Sequence, residues 1–107
     1  MGRKKYLIEI KEFIKRLQKD FTIKRVVLFG SRAAGIEKEE SDFDLIIVSD
    51  DFEDMNIFKR SAKMYDYWAL PIPVDFICLT TKEFNTLRKK ISIVSIALEE
   101  GIILSNN

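Results

Sequence analysis

The chain has 107 residues, 47% of them hydrophobic and 33% charged, with 18 Lys and Arg against 17 Asp and Glu for a formal net charge of +1. That length suits one domain, residues 1–107, with room for a real core and little over for a second module. A single cysteine excludes a disulfide-stapled scaffold, and the absence of histidine excludes His-based acid–base and nucleophile systems and most zinc sites.

The charges are unevenly spread. Residues 1–25 carry nine basic and three acidic side chains, whereas residues 37–54 carry nine acidic side chains and one Lys. The apolar runs are far too short for a membrane span, and the basic start lacks a signal-peptide pattern, so a soluble cytoplasmic protein with no membrane partner is expected.

In chain order, Leu7, Ile10, Ile14 and Leu17 recur at three- and four-residue spacing and predict an amphipathic helix over residues 3–19. Its basic residues read as a solvated face, with attraction of an acidic partner or RNA as the rival. Residues 25–29 are a short apolar run ended by Gly30 and read as a buried strand. Residues 31–41 are a polar loop with room for one helical turn. Residues 43–49 form a second strand, apolar on both faces and therefore covered on both. A helix over 55–69 follows, with Asp54 as its N-cap. Pro71 and Pro73 end it and lead into a third strand at 74–79.

Thr80-Thr81-Lys82-Glu83 has the spacing of a capping box and opens a helix over 81–90. A further helical stretch, 92–100, stops at Gly101 in the C′ position, and residues 102–104 add an edge strand. The fold class is α/β (α+β), a small mixed sheet with flanking helices. The aromatic stretch of Phe58, Tyr65, Tyr67 and Trp68 reads as core, with a partner-binding face as the rival. Cys78 reads as an inert core thiol.

The chemistry concentrates in carboxylates. Asp42 and Asp44 alternate around Phe43, so on a strand they point to one face. Two carboxylates so close repel each other, and a hard cation such as Mg²⁺ relieves the conflict. Asp75, between Val74 and Phe76, sits in a strand where a lone charge is costly. If that strand lies beside 43–49, the three acids form a cluster able to hold two metal ions about 3.5–4 Å apart. Gly30 allows close backbone approach to a ligand. Ser31 offers N–H groups and a hydroxyl to phosphate oxygens, and Arg32 adds a charge-assisted contact. The remaining acids at 50–54 read as a solvated loop.

Gly30-Ser31, Asp42-Phe43-Asp44 and Val74-Asp75-Phe76 together resemble the signature of the DNA polymerase β-like nucleotidyltransferases, and the Gly-Ser-Arg-Ala-Ala-Gly loop resembles that of the minimal nucleotidyltransferase group. The resemblance covers essentially the whole chain. It implies a nucleotidyltransferase fold and Mg²⁺-dependent transfer of a nucleoside monophosphate from an NTP, commonly ATP, with release of pyrophosphate. Asp42 and Asp44 would bind both metals. Asp75 would bind the catalytic one and help deprotonate the acceptor, and Gly30 and Ser31 would hold the triphosphate.

The resemblance also implies an antitoxin role beside a HEPN-type toxin, which some members adenylylate. Ala34 stands where the family loop often has a second basic residue. No acceptor-binding domain is visible, so a partner chain or a homo-oligomer is expected to grip the acceptor. Two other readings stand beside this one. The first is a non-catalytic protein that neutralises its partner by occlusion. The second is a catalytic subunit acting on RNA or a small molecule with a separate substrate-binding chain.

Overall fold

The computed structural model describes residues 3–30, 42–90 and 92–106. Helix α1 (Arg3–Gln18) buries Ile10, Phe13, Ile14 and Leu17, the stripe its periodicity predicts, and carries Lys15 and Arg16 in the last turn, where positive charge opposes the helix dipole. Strand β1 (Arg25–Phe29) and strand β2 (Phe43–Val48) follow. Next come a 3-10 turn (Asp50–Phe52) and helix α2 (Ile57–Tyr65). The chain continues as strand β3 (Val74–Leu79), helix α3 (Thr81–Arg88), helix α4 (Ile93–Glu100) and strand β4 (Ile102–Asn106).

The sheet order is β3-β2-β1-β4, with β2 and β3 parallel and β1 antiparallel to both of its neighbours. It is the small mixed sheet expected. Both faces of β2 are covered. Phe43, Leu45 and Ile47 join a core with α1, Phe76, Met64 and Trp68. Ile46 and Val48 pack on the other side with Val27, Phe84, Val94 and Ala97. The alternation of side chains along a strand divides these residues between two cores, so the sheet is the middle layer of three.

Three boundaries depart from expectation. Asn56, not Asp54, caps α2, its side-chain oxygen accepting from Lys59 N–H at 2.9 Å. The reason is Phe52: it is fully buried, and the 3-10 turn that inserts it delays the helix start. The helix also ends at Tyr65 rather than 69. Residues 66–68 instead make tight three-residue turns, and the Trp68 indole donates to Ile72 C=O at 2.9 Å. Gly101 is the C-cap of α4 with φ −88°, so no left-handed turn is needed there. Glycine is required for space instead, since a Cβ would lie 2.3 Å from the Ala97 carbonyl oxygen and 2.7 Å from that of Leu28.

The aromatic stretch divides. Trp68 packs edge-on to Phe13, Phe43 and Phe76, as a core residue should. Phe58 does not: it is 86% exposed beside Ile57 at 71%. Cys78 is buried, and burial pushes its thiol up to about 12, so it stays protonated and inert. Among the described residues no helix is long and apolar enough to cross a membrane.

Candidate functional site

The parallel register of β2 and β3 places Asp44 directly opposite Asp75. Both belong to the sheet face that α3 and α4 cover further along, where Ile46, Val48, Ile77 and Leu79 are packed. At the first rows of the two strands that cover stops. Asp44 is half-buried, and Asp42 and Asp75 are exposed. Asp42 lies immediately before β2, two residues from Asp44.

The three carboxylates feel one another. Burial, then the charge of Asp75, then that of Asp42 hold the Asp44 carboxyl above the ordinary range. Among the described residues no Lys or Arg pairs with any of the three. Nor are three acidic or thiol side chains among them already closed around a volume that would hold an ion. Among the described residues the three acids thus form a shelf of carboxylates without a cationic partner. Unneutralised oxygen donors of this kind suit a hard divalent cation, which would remove the repulsion that raises Asp44.

Gly30 ends β1 beside this row. Its φ of +79° is the left-handed conformation that favours glycine, and a Cβ there would stand 2.4 Å from Asp44 Oδ2. The close approach expected of Gly30 is therefore made to the carboxylate itself. Ser31 and Arg32, the two other residues expected to hold phosphate, lie outside the described residues.

The acids after β2 are exposed, as expected, but Asp50 and Asp51 also accept backbone hydrogen bonds. Asp51 Oδ2 accepts from Thr22 N–H at 2.7 Å, and Asp50 Oδ1 accepts from Thr81 N–H at 2.9 Å, tying the 3-10 turn to the start of β1 and to α3. The capping box is present as expected: Glu83 N–H donates to Thr80 Oγ1, and Thr80 N–H donates to Glu83 Oε1. Glu83 also receives the guanidinium of Arg60 at 2.7 Å.

A cavity of about 520 Å³ lies near this end, walled by Ile57, Phe76, Leu79 and Leu87. Its lining is mostly apolar, and its Arg60 and Glu83 are paired with each other. Sequence reasoning missed one neighbour of the carboxylate shelf, Tyr65, whose hydroxyl donates to the Val74 carbonyl immediately before Asp75. No local pattern marks it, because the contact depends on how α2 lies along β3.

Comparison with known proteins identifies the family. The family model described as a nucleotidyltransferase domain matches residues 7–104. A Methanocaldococcus jannaschii protein assigned as a protein adenylyltransferase is 35% identical over 82 residues, which is 71% of this chain and 92% of that protein. A second, from Haemophilus influenzae and assigned as the protein adenylyltransferase MntA, is 31% identical over 87 residues, covering 79% of this chain and 74% of its own length.

Two solved structures share the fold. One is a Sulfolobus solfataricus protein assigned as a nucleotidyltransferase, with a TM-score of 0.68 at 24% identity over 94% of this chain and 80% of that one. The other is a chain from a toxin–antitoxin structure with AMP-PNP, with a TM-score of 0.59 at 21% identity over 91% and 73%.

Proposed function

The chain belongs to the nucleotidyltransferase domain family, and from that premise we infer that it transfers AMP from ATP to a hydroxyl of a protein acceptor. The observation that carries this reading is the row of Asp44 against Asp75 with Asp42 beside it, none of them paired with a Lys or Arg among the described residues. The relatives assigned as protein adenylyltransferases favour an adenosine nucleotide as donor and a protein as acceptor. A HEPN-type toxin is the acceptor we favour, in keeping with the toxin–antitoxin assembly of one fold neighbour.

Asp42, Asp44 and Asp75 would hold two Mg²⁺ ions, which when bound supply charge neutralisation for the carboxylates and the triphosphate. The chain's own residues divide the remaining work. Gly30, Ser31 and Arg32 would bind the triphosphate and point its α-phosphorus toward the shelf. Asp75, exposed on the edge strand, would take the proton of the acceptor hydroxyl. The acceptor oxygen then bonds to the α-phosphorus, the bond to the bridging oxygen breaks, and pyrophosphate leaves with that electron pair.

The test is incubation with Mg²⁺ and α-labelled ATP, with and without a HEPN-type protein, the first choice being the product of the adjacent gene should it be of that type. Label should pass to that protein, and Asp42→Asn/Asp44→Asn should lower the rate at least about 100-fold. A double variant that still transfers label would sink the assignment of these carboxylates. Neutralisation of the toxin without any transfer would establish occlusion instead.

A further inference from the structure

Strand β3 is an edge of the sheet, and its outward backbone groups need cover. Phe43 N–H bonds to the Pro73 carbonyl and Ser49 N–H to that of Leu79, so the odd-numbered residues of β3 face β2. The carbonyls of Val74, Phe76 and Cys78 therefore point away from the sheet. Helix α2 runs along this edge and meets all three. Arg60 donates to Cys78 C=O at 3.1 Å, Ser61 to Phe76 C=O at 3.5 Å, and Tyr65 to Val74 C=O.

The three tethers are not equivalent. Arg60 is buried and anchors the far end of the strand, away from the carboxylates. Tyr65 is 48% exposed and holds the carbonyl of the residue before Asp75, at the point where β3 emerges from the Pro71–Pro73 turn. Its ring is fixed edge-on against Phe76, the residue after Asp75, at 4.9 Å between centroids. One side chain thus grips both neighbours of Asp75.

We propose that Tyr65 is a positioning residue for Asp75, its hydroxyl fixing the Val74–Asp75 peptide so that the Asp75 carboxylate stays opposed to Asp44. The inference rests on the reading of Asp75 given above. Without the hydroxyl, the first peptide of β3 keeps its bond to β2 but loses its outward restraint. The carboxylate can then swing, and misplacement on the ångström scale costs up to about 100-fold in rate. Because Tyr65 is half exposed and its ring contact with Phe76 does not involve the hydroxyl, loss of the hydroxyl should leave the fold intact.

The experiment compares the full chain with Tyr65→Phe, Ser61→Ala and Asp75→Asn. It measures steady-state transfer to the HEPN-type protein and, separately, Mn²⁺ binding by water-proton relaxation without nucleotide. Tyr65→Phe should lower kcat about 10-fold with KM for ATP within about twofold. It should also weaken Mn²⁺ several-fold at an unchanged thermal midpoint. Ser61→Ala should match the parent chain in both, and 3-fluorotyrosine at position 65, which keeps the donor, should restore kcat.

Unchanged kcat and Mn²⁺ affinity in Tyr65→Phe overturn the proposal, as does an equal loss in Ser61→Ala. Full activity in Asp75→Asn would overturn the functional reading itself, whereas an inactive Asp75→Asn beside an unaffected Tyr65→Phe would overturn only the positioning role. If no transfer to the chosen protein occurs at all, the Mn²⁺ comparison still decides.

Discussion

At the start of β2 and β3, Asp42, Asp44 and Asp75 stand near one another with no cation among the described residues, and the Asp44 carboxyl titrates above its ordinary range. At the far end of the same two strands, Glu83 and Asp50 titrate below theirs. Arg60 holds Glu83 down, and the Thr81 backbone N–H does the same for Asp50. The strands and the residue type are shared; what differs is the partner. Acids that build the fold receive a guanidinium or a helix N-terminus. The acids proposed to hold a ligand have no such partner among the described residues, and the fold tolerates the repulsion on Asp44 because hydrophobic cover on both sheet faces holds the strands in register.

The largest stability effect should come from the satisfied end. Arg60 is buried and donates to Met55 C=O at 2.9 Å as well as to Cys78 C=O and Glu83. Arg60→Ala leaves two carbonyls without their donor and the Glu83 carboxylate without its cation, with the Thr80 N–H retained, and should cost about 3 kcal/mol, measured by urea unfolding. The Glu83 carboxyl is lowered in the folded state, so the stability it contributes is present above its ordinary value of 4.5 and is lost as pH falls through the folded value. Arg60→Ala should therefore also flatten the acid limb of the stability profile. An unchanged acid limb would mean that the Arg60–Glu83 pair contributes packing alone.

Much of this contrast was legible in local sequence. Asp-Phe-Asp on a strand requires two acids on one face, and Thr80-Thr81-Lys82-Glu83 requires a capping box, because both depend only on the periods of strand and helix. The apolar runs placed β1, β2 and β3 to within a residue for the same reason. The opposition of Asp44 to Asp75 was not readable, since it depends on the register of two strands separated by a helix. Nor were the tethers of Arg60 and Tyr65, which come from the course of α2 along the edge. The exposure of Asp50 and Asp51 was legible, but their hydrogen bonds were not, because the N–H partners, Thr81 and Thr22, lie 31 and 29 residues away.

An intermediate effect is expected where the two ends of the argument meet at Gly30. Gly30→Ala imposes a left-handed φ on a residue with a Cβ and drives that Cβ against Asp44 Oδ2. The substitution should destabilise the protein by about 1–2 kcal/mol, seen as a lowered thermal midpoint. Combined with Asp44→Ala, which removes the obstructing oxygen, it should lose only the φ component. Strictly additive costs in the double variant would show that Gly30 is needed for its conformation and not for the approach to the carboxylate.

The smallest effect has the opposite sign. A carboxyl raised in the folded state binds its proton more tightly there than when unfolded, so ionising it costs stability. The cost is absent at pH values below the ordinary 3.8 and is complete once pH has passed the raised folded value. Asp44→Asn removes it. At pH 7 and without divalent cations the variant should be more stable than the parent chain by a few tenths to about 1 kcal/mol, the scale of partly exposed charge pairs. That advantage should vanish on acidification below the ordinary range, where the parent's Asp44 is neutral as well. Added Mg²⁺ should stabilise the parent and leave the variant where it was, because a cation bound only to the folded shelf adds its binding free energy to stability. A parent more stable than Asp44→Asn in chelator at pH 7 would place this shelf with Glu83 and Asp50 among the acids that support the fold, and the division between the two ends of the sheet would fail.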